Sequence, residues 1–143
     1  MGQFWLVLAN SSRARFFEGV SPLAELAEIH DMQNAIVRAR EQDLVSDRPG
    51  RRPDEGYAQR SGMERDAMDA EVTNFAREIV QYLEHGRATG QFTSLSIAAE
   101  PQFLGKLRSE MSSSLRGMVL EEVAKNLTDR GPEAVQDQLN VLR

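Results

Sequence analysis

The order of apolar and polar positions predicts three strands at the start of the chain. Residues 4–9 (FWLVLA) are all apolar, which is typical of a strand buried on both faces. The polar turn Asn10-Ser11-Ser12 separates them from a second apolar segment over 14–20, so we expect a hairpin. After Pro22, the spacing in residues 23–30 could also be helical, but three short segments in succession favour a third strand.

A long amphipathic helix is the clearest element in the middle of the chain. Apolar residues recur there at three- and four-residue spacing, which places them on one helix face: Val72, Phe75, Ala76, Ile79, Val80 and Leu83. We expect this main helix to span 64–85 and to end at Gly86 or Gly90. One or two further helical turns are expected over 35–44.

Strands and helices alternate in the remainder of the chain. Residues 92–99 predict a strand, Pro101 begins a helix, and residues 118–127 form a last strand. Ser112-Ser113-Ser114 is expected to cap or interrupt a short helical piece. Pro132 begins a terminal helix.

This order predicts a single α/β domain over residues 1–143. Its mixed sheet is antiparallel in the N-terminal hairpin and third strand, then parallel across helical crossovers, with helices on its faces. The chain's 143 residues suit one domain, and the absence of cysteine excludes disulfides and thiolate metal sites. The N-terminal apolar run is too short for a signal peptide or membrane span, so we expect a soluble cytoplasmic protein.

The distribution of charge singles out one segment. A net charge of −5 argues against a nucleic-acid binder with a wholly basic surface. Residues 45–62, however, contain several arginines and show no sustained helix or strand pattern, so we expect an exposed loop before the main helix. We call residues 45–62 the arginine-rich segment.

Arginine presents a planar fork that suits phosphate or carboxylate groups. The candidate phosphate contacts in the arginine-rich segment are Arg48, Arg51, Arg52 and Arg60. We expect Asp47 to pair with a neighbouring arginine, and Pro49-Gly50 to form a turn that directs the others outward. The alternative interpretation is a set of solvated surface ion pairs.

The residue patterns of common catalytic sites are mostly missing. His30 and His85 are far apart in sequence and not in any ligand-spaced pair, so we interpret both as structural. The sequence contains no nucleophile-elbow motif and no phosphate-loop motif. We therefore expect no metal and no cofactor, and a binding protein rather than an enzyme.

Five segments together resemble the bacterial host-attachment protein family, whose members are described as required for attachment to host cells. The resemblance covers nearly the whole chain and rests on FWLVLANSSRARFFEG, QDLVSDRPGRR, FAREIVQYL, GQFTSLSIAAEPQFLGKLRSEM and EEVAKNLT. The sequence departs from the family at RSGMERDAMDAE, which replaces a commoner histidine-containing stretch. No role for that histidine carries over.

The family is in turn distantly similar to the middle domain of archaeo-eukaryotic class-1 release factors. In that domain a hairpin, a third strand, a long loop and a long helix occur in the same order, and the loop carries a Gly-Gly-Gln motif that enters the peptidyl-transferase centre. The corresponding place here holds Gly56-Tyr57-Ala58-Gln59-Arg60-Ser61. The resemblance therefore implies a fold like that domain, with Gln59 as the candidate for a related role.

Three functional hypotheses follow from these observations. The first is a module that binds the ribosome, tRNA or rRNA through the arginine-rich segment. The second is a factor for attachment to host cells that acts through contacts with another protein. The third is a hydrolase of a peptidyl or nucleotidyl ester in which Gln59 positions water.

Overall fold

A computed structural model of the chain describes residues 3–46 and 57–142. The strands are β1 (Phe4–Ala9), β2 (Arg13–Gly19), β3 (Ala27–Gln33), β4 (Ser94–Ala99) and β5 (Val119–Val123). The helices are α1 (Ala35–Ser46), α2 (Tyr57–Ala88), α3 (Pro101–Glu110), α4 (Ser113–Arg116) and α5 (Pro132–Leu142). None of the helices in these two ranges is long and apolar enough to cross a membrane.

The five strands form one mixed sheet in the order β3-β2-β1-β4-β5. β2 pairs antiparallel with both β1 and β3, whereas β4 pairs parallel with both β1 and β5. The predicted fold class, an antiparallel start followed by parallel strands across helical crossovers, is confirmed.

The central strand β1 contributes to a hydrophobic core on each face of the sheet. Its odd-numbered residues belong to the larger core, which includes residues of α2, α3 and α4. Its even-numbered residues belong to the second core, which includes residues of α5. No side chain of β1 is more than 1% exposed, which explains why its sequence is apolar without alternation.

The main helix α2 is longer than the predicted 64–85. It begins at Tyr57, and α1 extends to Ser46, so the predicted loop over 45–62 is wrong at both ends. The physical reason is that the residues around 57–65 are mostly good helix formers, and the single Gly62 costs only about 1 kcal/mol. Gly86 lies inside the helix, and Gly90 (φ +73°) follows its end, where Gln91 donates its backbone N–H to the carbonyl of Gly86 at 2.8 Å.

The other predicted elements are confirmed, with changed boundaries. The third strand lies at 27–33 rather than 23–30 because its register is set by pairing with β2, whose Arg13 and Arg15 form ion pairs with Asp31 and Glu28 of β3. Ser112 caps α4, since its Oγ accepts from the backbone N–H of Leu115 at 3.1 Å. Pro132 is the first residue of α5.

Each edge strand carries a bulge with an exposed apolar residue. In β3, Ile29 is the extra residue between the partners of Phe16 and Phe17, and it is 39% exposed. In β5, Leu120 occupies the equivalent place and is 55% exposed. Such bulges disrupt the ladder of hydrogen bonds, so neither edge is well suited to pair with a strand of another chain.

The close packing of α2 on β1 predicts that alanine at Gly86 lowers the stability of the protein, unlike alanine at the helical Gly105. A Cβ on Gly86 would lie 2.8 Å from the Trp5 ring and 2.9 Å from that of Phe92, whereas a Cβ on Gly105 would meet nothing within 4 Å. Alanine is preferred to glycine in a helix by about 0.5–1 kcal/mol, but overpacking costs roughly 1–3 kcal/mol. Gly86→Ala should therefore lower the free energy of unfolding by about 1–2 kcal/mol.

The matched control for this prediction is Gly105→Ala in α3. This variant should raise the free energy of unfolding by about 0.5–1 kcal/mol, because it gains helix propensity without a steric conflict. Urea denaturation followed by circular dichroism measures both. Stabilisation by Gly86→Ala would show that α2 does not lie this close to Trp5.

Candidate functional site

α1 and the first part of α2 form a helical arm that extends past the sheet. The part of α2 that packs under the sheet begins near Val72, and Glu71 lies beside the turn that follows β1. Residues 57–71 of α2 continue beyond this end of the sheet, where β1 finishes, for about 20 Å at 1.5 Å per residue. α1 starts at the same end of the sheet and contacts α2. We call residues 35–46 and 57–71 the arm.

Only two of the predicted site residues fall within the described part of the chain. Gln59 and Arg60 lie in the first turn of α2. The loop expected for Gln59 is therefore wrong, since a helix fixes the backbone that Gly-Gly leaves free in the release-factor motif. The remaining predicted residues lie outside the described residues: Asp47, Arg48, Pro49, Gly50, Arg51 and Arg52.

Asn34 joins the arm to the sheet. Its Nδ2 donates to the backbone carbonyls of Ser11 and Glu71, both at 3.3 Å, and its backbone N–H donates to the carbonyl of Ser12 at 2.9 Å. The side chain is buried, with 8% of the residue exposed. One residue thus connects the β1–β2 turn, the start of α1 and the middle of α2.

No local sequence pattern indicates this role of Asn34. Asparagine immediately before a helix usually caps it through its side-chain oxygen. Here the side-chain amide bonds instead to two carbonyls that lie 23 and 37 residues away in sequence. Such long-range contacts have no local pattern, so sequence analysis could not identify Asn34.

A cavity of about 250 Å³ lies at the base of the arm. It is bounded by the end of β3, the first turn of α1 and one face of α2. Its polar lining consists of two carboxylates and three amides: Glu71, Glu78, Gln33, Asn34 and Asn74. The cavity is half open to solvent, and its volume is below the range of roughly 300–1,000 Å³ that is usual for small-molecule sites.

Arginines on the sheet and its covering helices pair with carboxylates. The pairs are Arg13–Asp31, Arg15–Glu28, Arg77–Glu110, Arg87–Glu84 and Arg108–Glu122. Arg15 also donates to the carbonyls of Thr128 and Arg130 at 2.8 and 2.7 Å, which ties the loop before α5 to β2. These arginines are therefore already bound to acceptors within the fold.

The positions of both histidines are explained by structural roles. The ring of His30 stacks on that of Tyr82 with centroids 4.3 Å apart, and Tyr82 stacks on Trp5 at 5.6 Å. Burial, with a smaller effect of Glu18, raises the pKa of Tyr82. His85 lies in the last turn of α2, where a basic residue suits the helix dipole. Across residues 3–46 and 57–142, no group of three or more histidine, aspartate or glutamate side chains is placed to hold a metal ion.

Comparisons with known proteins identify relatives of the chain. A family described as "Protein required for attachment to host cells" matches residues 5–139. A protein of Rickettsia prowazekii (strain Madrid E) with the name "Uncharacterized protein RP470" is 36% identical over 70 residues. That match covers 48% of this chain and 47% of the relative, so the similarity spans about half the length of each.

The contacts of Asn34 predict a measurable loss of stability when they are removed. Asn34→Ala should lower the free energy of unfolding by about 1–2 kcal/mol, because two partly buried carbonyls lose a donor. Asn74→Ala, an exposed neighbour at the same cavity, should change it by less than about 0.5 kcal/mol. Urea denaturation of both variants is the measurement, and equal effects would contradict the role of Asn34.

The Arg13–Asp31 pair predicts a pH dependence at the β3 edge. The hydrogen bond from Arg13 holds the pKa of Asp31 below its ordinary value. The stabilisation is therefore present above the ordinary aspartate pKa of about 4 and is lost as the pH falls through the lowered value. Because the pair is partly exposed, we expect its contribution to be below about 1 kcal/mol.

The test compares the wild-type protein with Asp31→Asn. The wild type should be the more stable at pH 7, and the difference should shrink towards zero as the pH falls below 4. Asp137→Asn, at an exposed position of α5, is the control. A difference between wild type and Asp31→Asn that is the same at pH 7 and pH 3 would show that the pair does not contribute.

Proposed function

The chain belongs to the family of proteins required for attachment to host cells, and from this premise we propose that it is an RNA-binding module that acts on the ribosome. Its ligand is ribosomal RNA or tRNA, and it acts in the cytoplasm. In this proposal Arg48, Arg51, Arg52 and Arg60 contact phosphates. Asp47 and Pro49-Gly50 orient these arginines.

The observation that carries the proposal is the continuity of α2. This single helix runs from Tyr57 to Ala88, so it connects the core directly to Arg60, and the other candidate arginines precede it in sequence. A rigid support lowers the entropy cost of holding cationic groups against a ligand. The distant similarity to the release-factor middle domain, in which the segment before the long helix enters the ribosome, supports the same assignment.

The length of the arm also reduces the electrostatic repulsion between the acidic protein and RNA. A net charge of −5 repels a polyanion such as RNA. The start of α2, however, lies about 20 Å beyond the end of the sheet by helix geometry. The Debye length at physiological ionic strength is about 8 Å, so repulsion from the acidic body is largely screened at that distance.

A second candidate function is attachment to host cells through protein contacts. The observation that favours it is the description of the family, together with a cavity at the base of the arm. The two candidates place the protein in different compartments. Labelling of intact cells with a membrane-impermeant reagent would detect the protein only if it acts at the cell surface.

The RNA proposal predicts a loss of salt-dependent binding when three arginines are replaced. Each phosphate contact to single-stranded RNA contributes about −0.7 to the slope of log K against log salt concentration. Arg48→Ala/Arg51→Ala/Arg52→Ala should therefore reduce the magnitude of that slope by about 2. Co-sedimentation with purified ribosomes over a range of salt concentrations measures it.

A matched control removes the same charge elsewhere. Arg116→Ala/Lys125→Ala/Arg130→Ala also deletes three cationic side chains, all exposed and remote from the arm in sequence. This control should bind ribosomes with nearly the wild-type slope. Equal slopes for the two triple variants would show that binding depends on overall charge, and absence of binding by the wild type would refute the proposal.

A further inference from the structure

We propose that Asn34 is a positioning residue for RNA binding, because it holds both helices of the arm in one direction relative to the sheet. This role rests on the proposed function and deepens it. The arginines contact the RNA in that function, whereas Asn34 contacts no RNA and acts only through the arm. Loss of Asn34 should therefore weaken RNA binding without removing a phosphate contact.

Asn34 attaches the arm to a firmly held part of the fold. Its Nδ2 donates to the carbonyl of Ser11 at 3.3 Å, and its backbone N–H donates to the carbonyl of Ser12 at 2.9 Å. The turn that contains both serines is closed by Asn10, whose Oδ1 accepts from the backbone N–H of Ser12 at 2.8 Å. Asn10 also donates through Nδ2 to Oγ1 of the buried Thr128 at 2.8 Å, so the loop before α5 fixes the same turn.

The same residue bonds to both helices of the arm. Its carbonyl accepts from the backbone N–H of Arg38 at 3.0 Å, which begins the hydrogen-bond ladder of α1. Its Nδ2 donates to the carbonyl of Glu71 in α2 at 3.3 Å. Val37 is only 5% exposed, so the first turn of α1 is packed as well as bonded. Holding the bases of both helices limits the movement of the residues that the helices carry.

Small tilts at the base of the arm are amplified along its length. A tilt of about 10° moves the far end of the 12-residue helix α1 by about 3 Å. That displacement equals the length of a hydrogen bond to a phosphate, so the direction of the arm decides which arginines reach the RNA. A second contact between arm and body, from Lys106 to Asp69 at 3.9 Å, is weak because the Asp69 side chain is 78% exposed.

The direction of the arm can be measured in the absence of RNA. The chain contains no cysteine, so Ala39→Cys on α1 and Gln102→Cys on α3, both at exposed positions, provide two unique sites for spin labels. Double electron–electron resonance then reports the distance between the arm and the body. The labelled protein that retains Asn34 should give one narrow distance distribution. Asn34→Ala should broaden that distribution about twofold, because the far end of α1 gains about 3 Å of movement.

Co-sedimentation with ribosomes measures the consequence for RNA binding. Unlabelled Asn34→Ala should bind about threefold to tenfold more weakly than wild type, because an arm that is not held must be ordered on binding. The slope of log K against log salt concentration should not change, because no phosphate contact is removed. The control is Gly86→Ala, near the other end of the packed part of α2. We expect it to destabilise the fold to a similar extent and yet to leave the distance distribution and the affinity at wild-type values.

Several results would overturn the positioning role of Asn34. They are an unchanged distance distribution in Asn34→Ala, wild-type affinity of that variant, and an equal loss of affinity in Gly86→Ala. A broad distribution in the labelled protein that retains Asn34 would also overturn it, and that measurement does not depend on whether a variant folds. Absence of ribosome binding by the wild type would refute the proposed function and the positioning role together, whereas the other results overturn the role of Asn34 alone.

Discussion

Burial of β1 on both faces determines where the other elements of this fold can lie. Each of its six side chains must be covered, so α2 and α3 pack on one face of the sheet and α5 packs on the other. At one end of β1, Trp5 fits against Gly86 and Phe92. At the other end, the side chain of Asn10 accepts from the backbone N–H groups of Ser12 and Arg13, which closes the hairpin.

The same burial anchors a helix that is much longer than the sheet requires. A six-residue strand spans roughly 20 Å, whereas the 32 residues of α2 span about 48 Å. Packing on the sheet accounts only for the part of α2 that follows Glu71. Packing on the sheet therefore does not account for the length of the arm, and Asn34 bonds to α2 at the point where the helix leaves the sheet.

Local signals were sufficient to predict most of the fold. The apolar run of β1, the apolar stripe of α2 and the prolines that start α3 and α5 each have a short-range physical cause. The predicted bounds of β3 were less accurate, because nearly all its side chains are exposed and no hydrophobic alternation marks the strand. The cavity could not be predicted, since it is formed by Asn34 and Glu71, which are brought together only by the fold. The role of the arginine-rich segment stays a prediction.

We propose that this member of the host-attachment family binds ribosomal RNA. The most direct test of this proposal is the nucleic acid that accompanies the intact protein when it is purified at low salt from the cells that produce it. The proposal predicts that ribosomal RNA copurifies with the protein and is released by a high-salt wash, because phosphate contacts weaken steeply with salt. Protein free of RNA at every salt concentration would contradict it.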